Sequence, residues 1–298
     1  MQNSNPQISQ LVLGTAQLGL KYGIANNKGQ LGQHKAEEIL NFAWNSGIRN
    51  LDTAQAYGNS EEVIGSFSRA NPNKIFNVIT KLPPNINYKN SREIRLANNT
   101  SWGRLGVPPG DILIHDAKLL NDWDGILGKT LTSMINNSEV KGIGVSVYEP
   151  DEFQKALTIP EITSIQAPFN VFDRRLLDAG LLTQATKLKK KVFIRSIFLQ
   201  GLLLLRPEEL PSKMSFALPT LIRWQKLCQN NFVSPLKASL GYVLSKAPNL
   251  SFVIGSETEK QIYENLLIIR EPALNPNFLK ALNSFQIDDP RIYSPANW

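Results

Sequence analysis

The sequence predicts an α/β fold, a (β/α)8 TIM barrel with extra helices after the seventh strand and at the C-terminus. Eight short strand-like runs alternate with helix-like segments along the chain. Several runs are continuously apolar and rich in Val and Ile, as are strands buried on both faces of a parallel sheet. No linker-like stretch interrupts the alternation, and 298 residues suit a barrel of about 250 residues with additions. We therefore expect a single domain over residues 1–298.

Each unit of the repeat pairs one apolar run with one helical pattern. The predicted strands are 11–15, 48–52, 76–80, 111–115, 142–147, 163–168, 192–197 and 251–255. The predicted helices are 34–46, 59–70, 90–104, 122–138, 149–157, 176–190, 235–247 and 259–270. In the first helix, residues 37–44 (EEILNFAW) have helical apolar spacing, and Gly47 is a suitable stop.

Two segments fall outside the eight units. Residues 198–233 form a long insertion after the seventh strand, with a helical piece near 217–231. Residues 272–298 add a helix near 275–285 and a tail. Loops of this length in compact domains are usually functional. A doubly wound sheet fits less well, because the turn after the first strand is GTAQLG and lacks the GxGxxG pattern.

Composition and charge exclude several classes of protein. Hydrophobic residues make up 42% and charged residues 19% of the chain. This balance is typical of a globular protein and excludes a disordered or fibrous one. One cysteine, Cys228, and an N-terminus without a signal pattern predict a cytoplasmic protein. Apolar runs such as 197–205 are too short to span a bilayer, so no membrane is expected. The net charge of +7 is scattered apart from a lysine cluster at 187–191, so we expect no nucleic-acid partner.

Polar side chains of four kinds stand at the ends of three neighbouring strands. Asp52 ends the second strand, Lys81 follows the third, His115 ends the fourth, and Tyr57 lies in the loop after the second. Each has a structural interpretation: a turn cap, an exposed loop lysine, a buried histidine and a packed ring. Catalytic groups of barrel enzymes, however, gather at the carboxyl ends of the strands. Four such residues together favour an active site.

This set suits the reduction of a carbonyl group. A hydride that adds to the carbonyl carbon needs an acid to protonate the oxygen, and a free phenol has a pKa of about 10. Lys81 beside Tyr57 would lower the pKa of the phenol, and Asp52 would neutralise and orient the buried lysine. A neutral His115 would hydrogen-bond the carbonyl oxygen and polarise it. Tyr57 is the predicted proton donor.

The chain resembles the aldo-keto reductases from about residue 11 to 270. The matching segments are LDTAQAYGNSEEVIG, VITKLPP, DILIHD, KGIGVSVYE, SIQAPFNVFDRR, RSIFLQGLL and VIGSETEKQIYENL. The resemblance implies NAD(P)H-dependent carbonyl reduction, without a metal, by Asp52, Tyr57, Lys81 and His115. The segment LGTAQLGLKYGIANNKGQ is similar to a bacterial subgroup found among sugar-modifying and surface-polysaccharide enzymes.

The resemblance also implies a cofactor extended across the carboxyl end of the barrel. Ser146 and Gln166 would bind the nicotinamide carboxamide, since a glutamine supplies both a donor and an acceptor. Glu264 and Asn265 match an adenine-contacting pair, and the helix that starts after Gly255 offers an anion site. The expected cofactor contacts beyond the carboxamide are Gly14, Thr15, Arg195, Ser196, Leu199, Gln200, Gly201, Gly255, Ser256, Thr258, Gln261, Glu264 and Asn265.

Three positions depart from the family pattern. Val147 replaces an asparagine common after the serine. Arg195 replaces a tyrosine that stacks on the nicotinamide ring, and its charge would disfavour the oxidised, cationic ring. Glu257 stands where relatives specific for the 2′-phosphate often carry a cation, which suits a free ribose hydroxyl and NADH. The frequency of use within the family nevertheless puts NADPH first.

The expected partner is a small-molecule carbonyl substrate, bound by a monomer or a weak homo-oligomer. The pocket should be lined by loops after the first, fourth and seventh strands and by the tail, with Tyr293 and Trp298. Ala16 stands where some relatives have a tryptophan, which predicts a wider pocket. The loop 17–30 either meets hydroxyls of a sugar-like substrate or is solvated. Its polar side chains include Lys21, Tyr22, Asn26 and Asn27.

Two other functions stay open at this level. A Schiff-base aldolase on the same fold would also use a strand-end lysine such as Lys81. Such an enzyme has no need of the additional set at Ser146, Gln166, Ser196 and Ser256. A non-catalytic sensor of nicotinamide redox state would need the cofactor residues and not the proton donor.

Overall fold

Eight parallel strands close into a barrel in chain order, with the last strand beside the first. The structure is a computed structural model that describes residues 6–24, 26, 29–295 and 298. The barrel fold is therefore confirmed. Its strands are β1 (Leu11–Gly14), β2 (Asn50–Asp52), β3 (Asn77–Lys81), β4 (Asp111–Ile114), β5 (Gly142–Ser146), β6 (Ile162–Pro168), β7 (Lys191–Arg195) and β8 (Ser251–Gly255).

Helices surround the barrel and follow the predicted alternation. The α-helices are α1 (Pro6–Ser9), α2 (Ala16–Gly19), α3 (Gln33–Asn45), α4 (Ser60–Ala70), α5 (Ser91–Leu105), α6 (Ile126–Asn136), α7 (Pro150–Thr158), α8 (Arg175–Asp178), α9 (Leu181–Lys187), α10 (Leu218–Asn230), α11 (Pro235–Lys246), α12 (Glu259–Arg270) and α13 (Pro276–Asn283). The predicted extra helices after the seventh strand and near the C-terminus are confirmed as α10 and α13. Short 3-10 helices cover Ala117–Asp122, Leu199–Leu204, Pro207–Glu209, Ser212–Ala217 and Pro290–Tyr293.

Two predicted helices were wrong in their extent. The helix predicted over 122–138 begins only at Ile126, because a 3-10 helix and then Gly125 in extended backbone precede it. The helix predicted over 176–190 is divided into α8 and α9. The division falls at Gly180, whose φ is +68°. Residues other than glycine rarely adopt a φ in this range.

The core has two parts that reflect the alternation of side chains along the strands. Leu51, Val145 and Ile165 pack in the large cluster between strands and helices. A separate small cluster fills the barrel interior, and it consists of Val12, Ile79, Leu113 and Phe193 with Val253 beside it. The next inward positions toward the carboxyl end are polar or glycine. They are Gly14, Asp52, Lys81, His115, Ser146, Gln166, Arg195 and Gly255.

In the part of the chain that the structure describes, no helix is both long enough and apolar enough to cross a membrane.

Candidate active site

A buried ion pair lies at the carboxyl end of the barrel. Lys81 Nζ is 2.7 Å from Asp52 Oδ1, and it also donates to the carbonyl oxygen of Thr53 at 2.9 Å. Both charged side chains are less than a tenth exposed. Gln166 Nε2 donates to the same carboxylate oxygen at 2.6 Å. Three strands, β2, β3 and β6, thus fix one lysine and one acid in a single hydrogen-bonded group.

Tyr57 stands beside this pair. Its ring centroid is 5.1 Å from Lys81 Nζ. The tyrosine lies in the turn between β2 and α4, where its amide donates to Ala54 O and its carbonyl accepts from Ser60 N, each at 3.0 Å. The backbone of this turn lies directly on α2, since a Cβ on Gly19 would overlap Tyr57 O. A Cβ on Gly58, whose φ is +56°, would overlap Gly19 O. Two glycines therefore set the position of Tyr57.

The surroundings of Tyr57 keep its phenol protonated. Burial raises the pKa of Tyr57 above its ordinary value, and the Asp52 carboxylate adds to the rise while Arg195 opposes it. The expectation that Lys81 lowers this pKa toward neutrality is wrong. The reason is that the Asp52 carboxylate, whose Oδ1 is 2.7 Å from Lys81 Nζ, offsets the effect of the lysine charge on the phenol. The phenol of Tyr57 is therefore protonated at neutral pH.

His115 lies at the end of β4 and contacts the β3–α5 loop. Its Nδ1 is 3.2 Å from Tyr88 Oη, and the two rings are 5.9 Å apart. Tyr88 Oη in turn donates to the carbonyl oxygen of Pro83 at 2.7 Å. Burial lowers the pKa of His115, although Asp116 opposes this, so the imidazole is neutral at pH 7. Tyr88 was not identified from the sequence, because no local motif around Tyr88 indicates that it contacts His115.

A cavity of about 420 Å³ opens beside Tyr57 and Asp52. Most of the predicted cofactor residues line it: Gly14, Thr15, Gln166, Arg195, Ser196, Gln200, Gly201, Gly255, Gln261, Glu264 and Asn265. The predicted residues Ser146, Leu199, Ser256 and Thr258, together with Lys81 and His115, are not part of its wall. Thr258 instead caps α12, since its hydroxyl accepts from Gln261 N at 3.2 Å.

One residue of the cavity wall, Thr15, stabilises the barrel itself. Thr15 is fully buried, and its hydroxyl donates to the carbonyl oxygen of Asp52 at 2.9 Å. The Ser60 hydroxyl lies 2.9 Å from the Thr15 hydroxyl and 3.0 Å from that of Thr53. These bonds tie the ends of β1 and β2 to the start of α4, and they thereby hold Asp52 at the site.

Arg195 lines the cavity, and its charge acts on Tyr57. Its guanidinium donates to Val147 O at 3.0 Å and to Ser196 Oγ at 3.3 Å. The guanidinium carbon lies 4.2 Å from the centre of the Tyr148 ring. Arg195 therefore stacks on Tyr148, a neighbour that the sequence did not reveal. Its charge also acts on Tyr22, a second phenol in the cavity wall, where it opposes the rise in pKa that burial causes.

The other end of the cavity is built around the start of α12. Gln261 Oε1 accepts from Glu257 N at 2.6 Å, and Asn265 Nδ2 donates to Gln261 O at 2.9 Å. Asn265 Oδ1 is buried without a hydrogen-bond partner although its residue lines the cavity. A buried acceptor of this kind is complementary to an amino group such as that of adenine. The residues of the cavity fit a nicotinamide adenine dinucleotide.

Two loops cover the cavity between these ends. Ile24 N donates to Gln200 O at 3.1 Å, which joins the segment 20–24 to the loop after β7. Ser196, Leu199 and Gln200 in the second loop have φ values between +47° and +59°. Asn26 is buried and closes its own turn by bonding to Gly29.

The other predicted pocket residues have different placements. Lys21 is exposed, and Asn27 lies outside the described residues. Neither Tyr293 nor Trp298 lines the cavity. Tyr293 packs on Arg175, and Trp298 Nε1 donates to Arg291 O at 2.8 Å.

Several known oxidoreductases are similar to this chain. The Pseudomonas D-threo-aldose 1-dehydrogenase is 26% identical, over 85% of this chain and 89% of that protein. The Escherichia coli NADH-specific methylglyoxal reductase is 25% identical, over 92% of each. A solved holo structure of a Bacillus halodurans aldo-keto reductase shares the fold, with a TM-score of 0.76 and 18% identity over 94% of this chain and 93% of that one.

The family model described as the aldo/keto reductase family matches residues 10–287. That range includes every strand of the barrel and all four of the residues Asp52, Tyr57, Lys81 and His115. Since the match runs through the whole barrel and its strand ends, this chain belongs to the aldo/keto reductase family and is an oxidoreductase.

Proposed function

We propose that the protein reduces an aldehyde or ketone to the alcohol, with NAD(P)H as the hydride source and Tyr57 as the proton donor. The observation that carries the proposal is the buried Lys81–Asp52 pair beside the Tyr57 ring at the mouth of the barrel. The cavity next to it is lined by most of the residues that are expected to hold the cofactor. On sequence grounds, we also propose a single domain over residues 1–298 that acts as a monomer or weak homo-oligomer in the cytoplasm.

The residues of the site divide the work of the reaction. A bound dihydronicotinamide supplies the hydride that adds to the carbonyl carbon. Tyr57 gives its proton to the carbonyl oxygen, which completes the alcohol and leaves a phenolate. The charge of Arg195 favours that phenolate until solvent returns a proton to it. Gln166 donates to Asp52 and keeps its carbonyl oxygen and its second N–H for the carboxamide.

The cofactor choice is tested by comparing KM values. We expect NADH to have a KM at least about tenfold lower than that of NADPH, a difference of about 1.4 kcal/mol. The reason is that, among the residues that the structure describes, the lysines near the start of α12 have carboxylate neighbours. Lys35 contacts Glu259 at 2.7 Å and Glu38 at 2.9 Å, and Lys260 is 82% exposed beside Glu264. Glu257 in the cavity wall is an acid at a position where a 2′-phosphate would favour a cation.

A neutral variant of that acid tests the cause. Glu257→Gln is expected to lower the KM for NADPH relative to that for NADH. Glu208→Gln, at a carboxylate 64% exposed and away from the cavity, serves as the matched control. A lower KM for NADPH than for NADH in the unaltered protein would restore the preference that the family resemblance suggested.

Gly19→Ala tests how the Tyr57 turn is held. The new methyl overlaps Tyr57 O, so we expect a loss of stability of about 1–3 kcal/mol together with a lower kcat. Gly103→Ala is the control, since a Cβ there meets no atom within 4 Å and α5 tolerates alanine. Thermal unfolding and turnover measure the two effects. Full activity in the Gly19 variant would show that the turn does not depend on this contact.

The aldolase and the sensor make different predictions. A Schiff base needs an unprotonated amine, whereas Lys81 Nζ is paired with a carboxylate and donates to Thr53 O. We expect cofactor oxidation with a panel of small aldehydes, ketones and sugars, and no adduct after borohydride treatment. Trapping of substrate on Lys81 would support the aldolase. Tight cofactor binding without turnover on any carbonyl compound would support the sensor.

A further inference from the structure

We infer that Asn170 is a positioning residue for the cofactor, because its side chain fixes the start of the loop after β7 in the shape that lines the cavity. The inference rests on the proposed function and deepens it. Asn170 follows β6 and is not part of the cavity wall. It acts through Ser196, the first residue after β7, which does line the cavity.

The side-chain amide of Asn170 bridges two segments of the chain. Asn170 is fully buried. Its Oδ1 accepts from the backbone N–H groups of Phe172 at 2.8 Å and Asp173 at 2.9 Å, which closes the turn after β6. Its Nδ2 donates to Ser196 O at 3.0 Å. These partners fix the orientation of the amide, because a backbone N–H can only donate and a backbone carbonyl can only accept.

The bond to Ser196 O lies where the pairing of two strands ends. Pro168 and Arg195 are the final pair in the register of β6 and β7. Phe169 N then donates to Arg195 O at 3.2 Å. The side chain of Asn170 joins the same two segments one residue farther along each of them. It thereby holds the end of β7 at the point where the chain leaves the sheet.

Ser196 has a backbone conformation that needs such support. Its φ is +59°, in the left-handed region that residues other than glycine rarely adopt. Leu199 and Gln200 in the same loop also have positive φ values, of +47° and +54°. Conformations of this kind persist where the surrounding structure holds them. Ser196 O accepts from Leu199 N at 2.9 Å as well as from Asn170, so two bonds fix the peptide group that begins the loop.

The turn that carries Asn170 is itself anchored. Asp173 is 2% exposed, and its carboxylate accepts from Arg175 Nε at 2.9 Å and from Arg175 Nη2 at 3.0 Å. Arg175 Nη2 also donates to Tyr148 O at 3.2 Å. The Tyr148 ring in turn packs on Arg195, the last residue of β7. Asn170 therefore donates to the loop from a turn that is tied to the neighbouring strands.

The effect on the cofactor follows from the position of this loop. Ser196, Gln200 and Gly201 line the cavity. A loop that has this shape before a dinucleotide binds leaves less ordering to be completed on binding. If the loop had the shape for only part of the time, the apparent affinity would fall in proportion to that fraction. Asn170 thus acts on cofactor binding and not on proton transfer.

Hydrogen exchange measures the shape of the loop without a cofactor. In Asn170→Ser, the shorter side chain can still accept from the turn but does not reach Ser196 O. We expect the Leu199 amide to be protected in the unaltered protein and to exchange about tenfold faster in Asn170→Ser, as for the loss of one hydrogen bond. A Leu199 amide that exchanges freely in the unaltered protein would overturn the inference, whether or not the variant folds.

The matched control makes the same substitution at a second buried asparagine. Asn98 on α5 is fully buried, and its side-chain amide has no hydrogen-bond partner among the residues that the structure describes. It is not part of the cavity wall. Asn98→Ser should therefore leave the exchange of the Leu199 amide unchanged.

Titration with NADH in the absence of substrate tests the effect on affinity. The Kd for NADH, obtained from its fluorescence, should rise about tenfold in Asn170→Ser and stay unchanged in Asn98→Ser. The KM for NADH should rise with it, while kcat at saturating NADH stays nearly the same. An unchanged Kd in Asn170→Ser would contradict the positioning role. Faster exchange at Leu199 in a protein that binds neither NADH nor NADPH would instead count against the proposed reductase, while the role of Asn170 in the loop stands.

Discussion

Tyr57→Phe is expected to lower kcat by about 10²–10⁴-fold, the contribution typical of a positioned general acid. The substitution removes the phenol oxygen and keeps the ring 5.1 Å from Lys81, so folding and cofactor binding should change little. Cofactor oxidation under saturating substrate measures the effect. Tyr263→Phe, at a tyrosine that is 51% exposed, is the matched control and should turn over normally.

The pH profile adds an independent test of the same acid. Reduction requires the protonated phenol, and burial raises the pKa of Tyr57 above the ordinary value of about 10. Tyr57 should therefore be fully protonated at neutral pH, and the loss of activity due to its deprotonation should come only in strongly alkaline solution. Undiminished turnover in Tyr57→Phe would show that another group donates the proton.

Lys81→Met is expected to abolish turnover and to destabilise the fold by about 3–5 kcal/mol, the cost of leaving a buried charge without its partner. Asp52 is 7% exposed, and after the substitution it would keep only the Gln166 amide as a polar side-chain partner. The free energy of unfolding, obtained from denaturant titrations, measures this loss. Lys260→Met, at a lysine 82% exposed, is the control and should unfold as the unaltered protein does.

A double variant separates stability from catalysis. Adding Asp52→Asn to Lys81→Met removes the stranded charge, so most of the lost stability should return while activity stays absent. If Lys81→Met unfolded at the same denaturant concentration as the unaltered protein, the ion pair would have no structural role. If the double variant recovered turnover, the lysine would have no catalytic one.

The predictions that succeeded depended on local pattern. All eight strands were located within about two residues, because runs of Val and Ile buried on both faces are distinctive in a sequence. The strand ends followed from these runs, and with them Asp52, Lys81 and His115. The errors arose where a short-range break overrides periodicity, as at Gly180, which divides the helix predicted over 176–190.

The residues that line the cavity were predicted less completely. Gly14, Gln166 and Asn265 line the cavity as the family resemblance implied, whereas Thr258 caps a helix and Ser256 is buried outside the wall. A motif places a residue near a ligand without stating which way its side chain turns. For the same reason, the resemblance could not indicate that Arg195 rests on the Tyr148 ring.

The sequence by itself determined the barrel, the order of its strands and the four polar residues at their carboxyl ends. The reason is that hydrophobic period and strand length are properties of contiguous residues. Only the tertiary structure decided which partner each polar group has. Asp52 contacts Lys81 and Gln166, His115 contacts Tyr88, and the backbone at Gly19 packs against the turn that contains Tyr57. These contacts join residues far apart in the chain, and closure of the barrel sets them, so no single stretch of sequence contains both members of a pair.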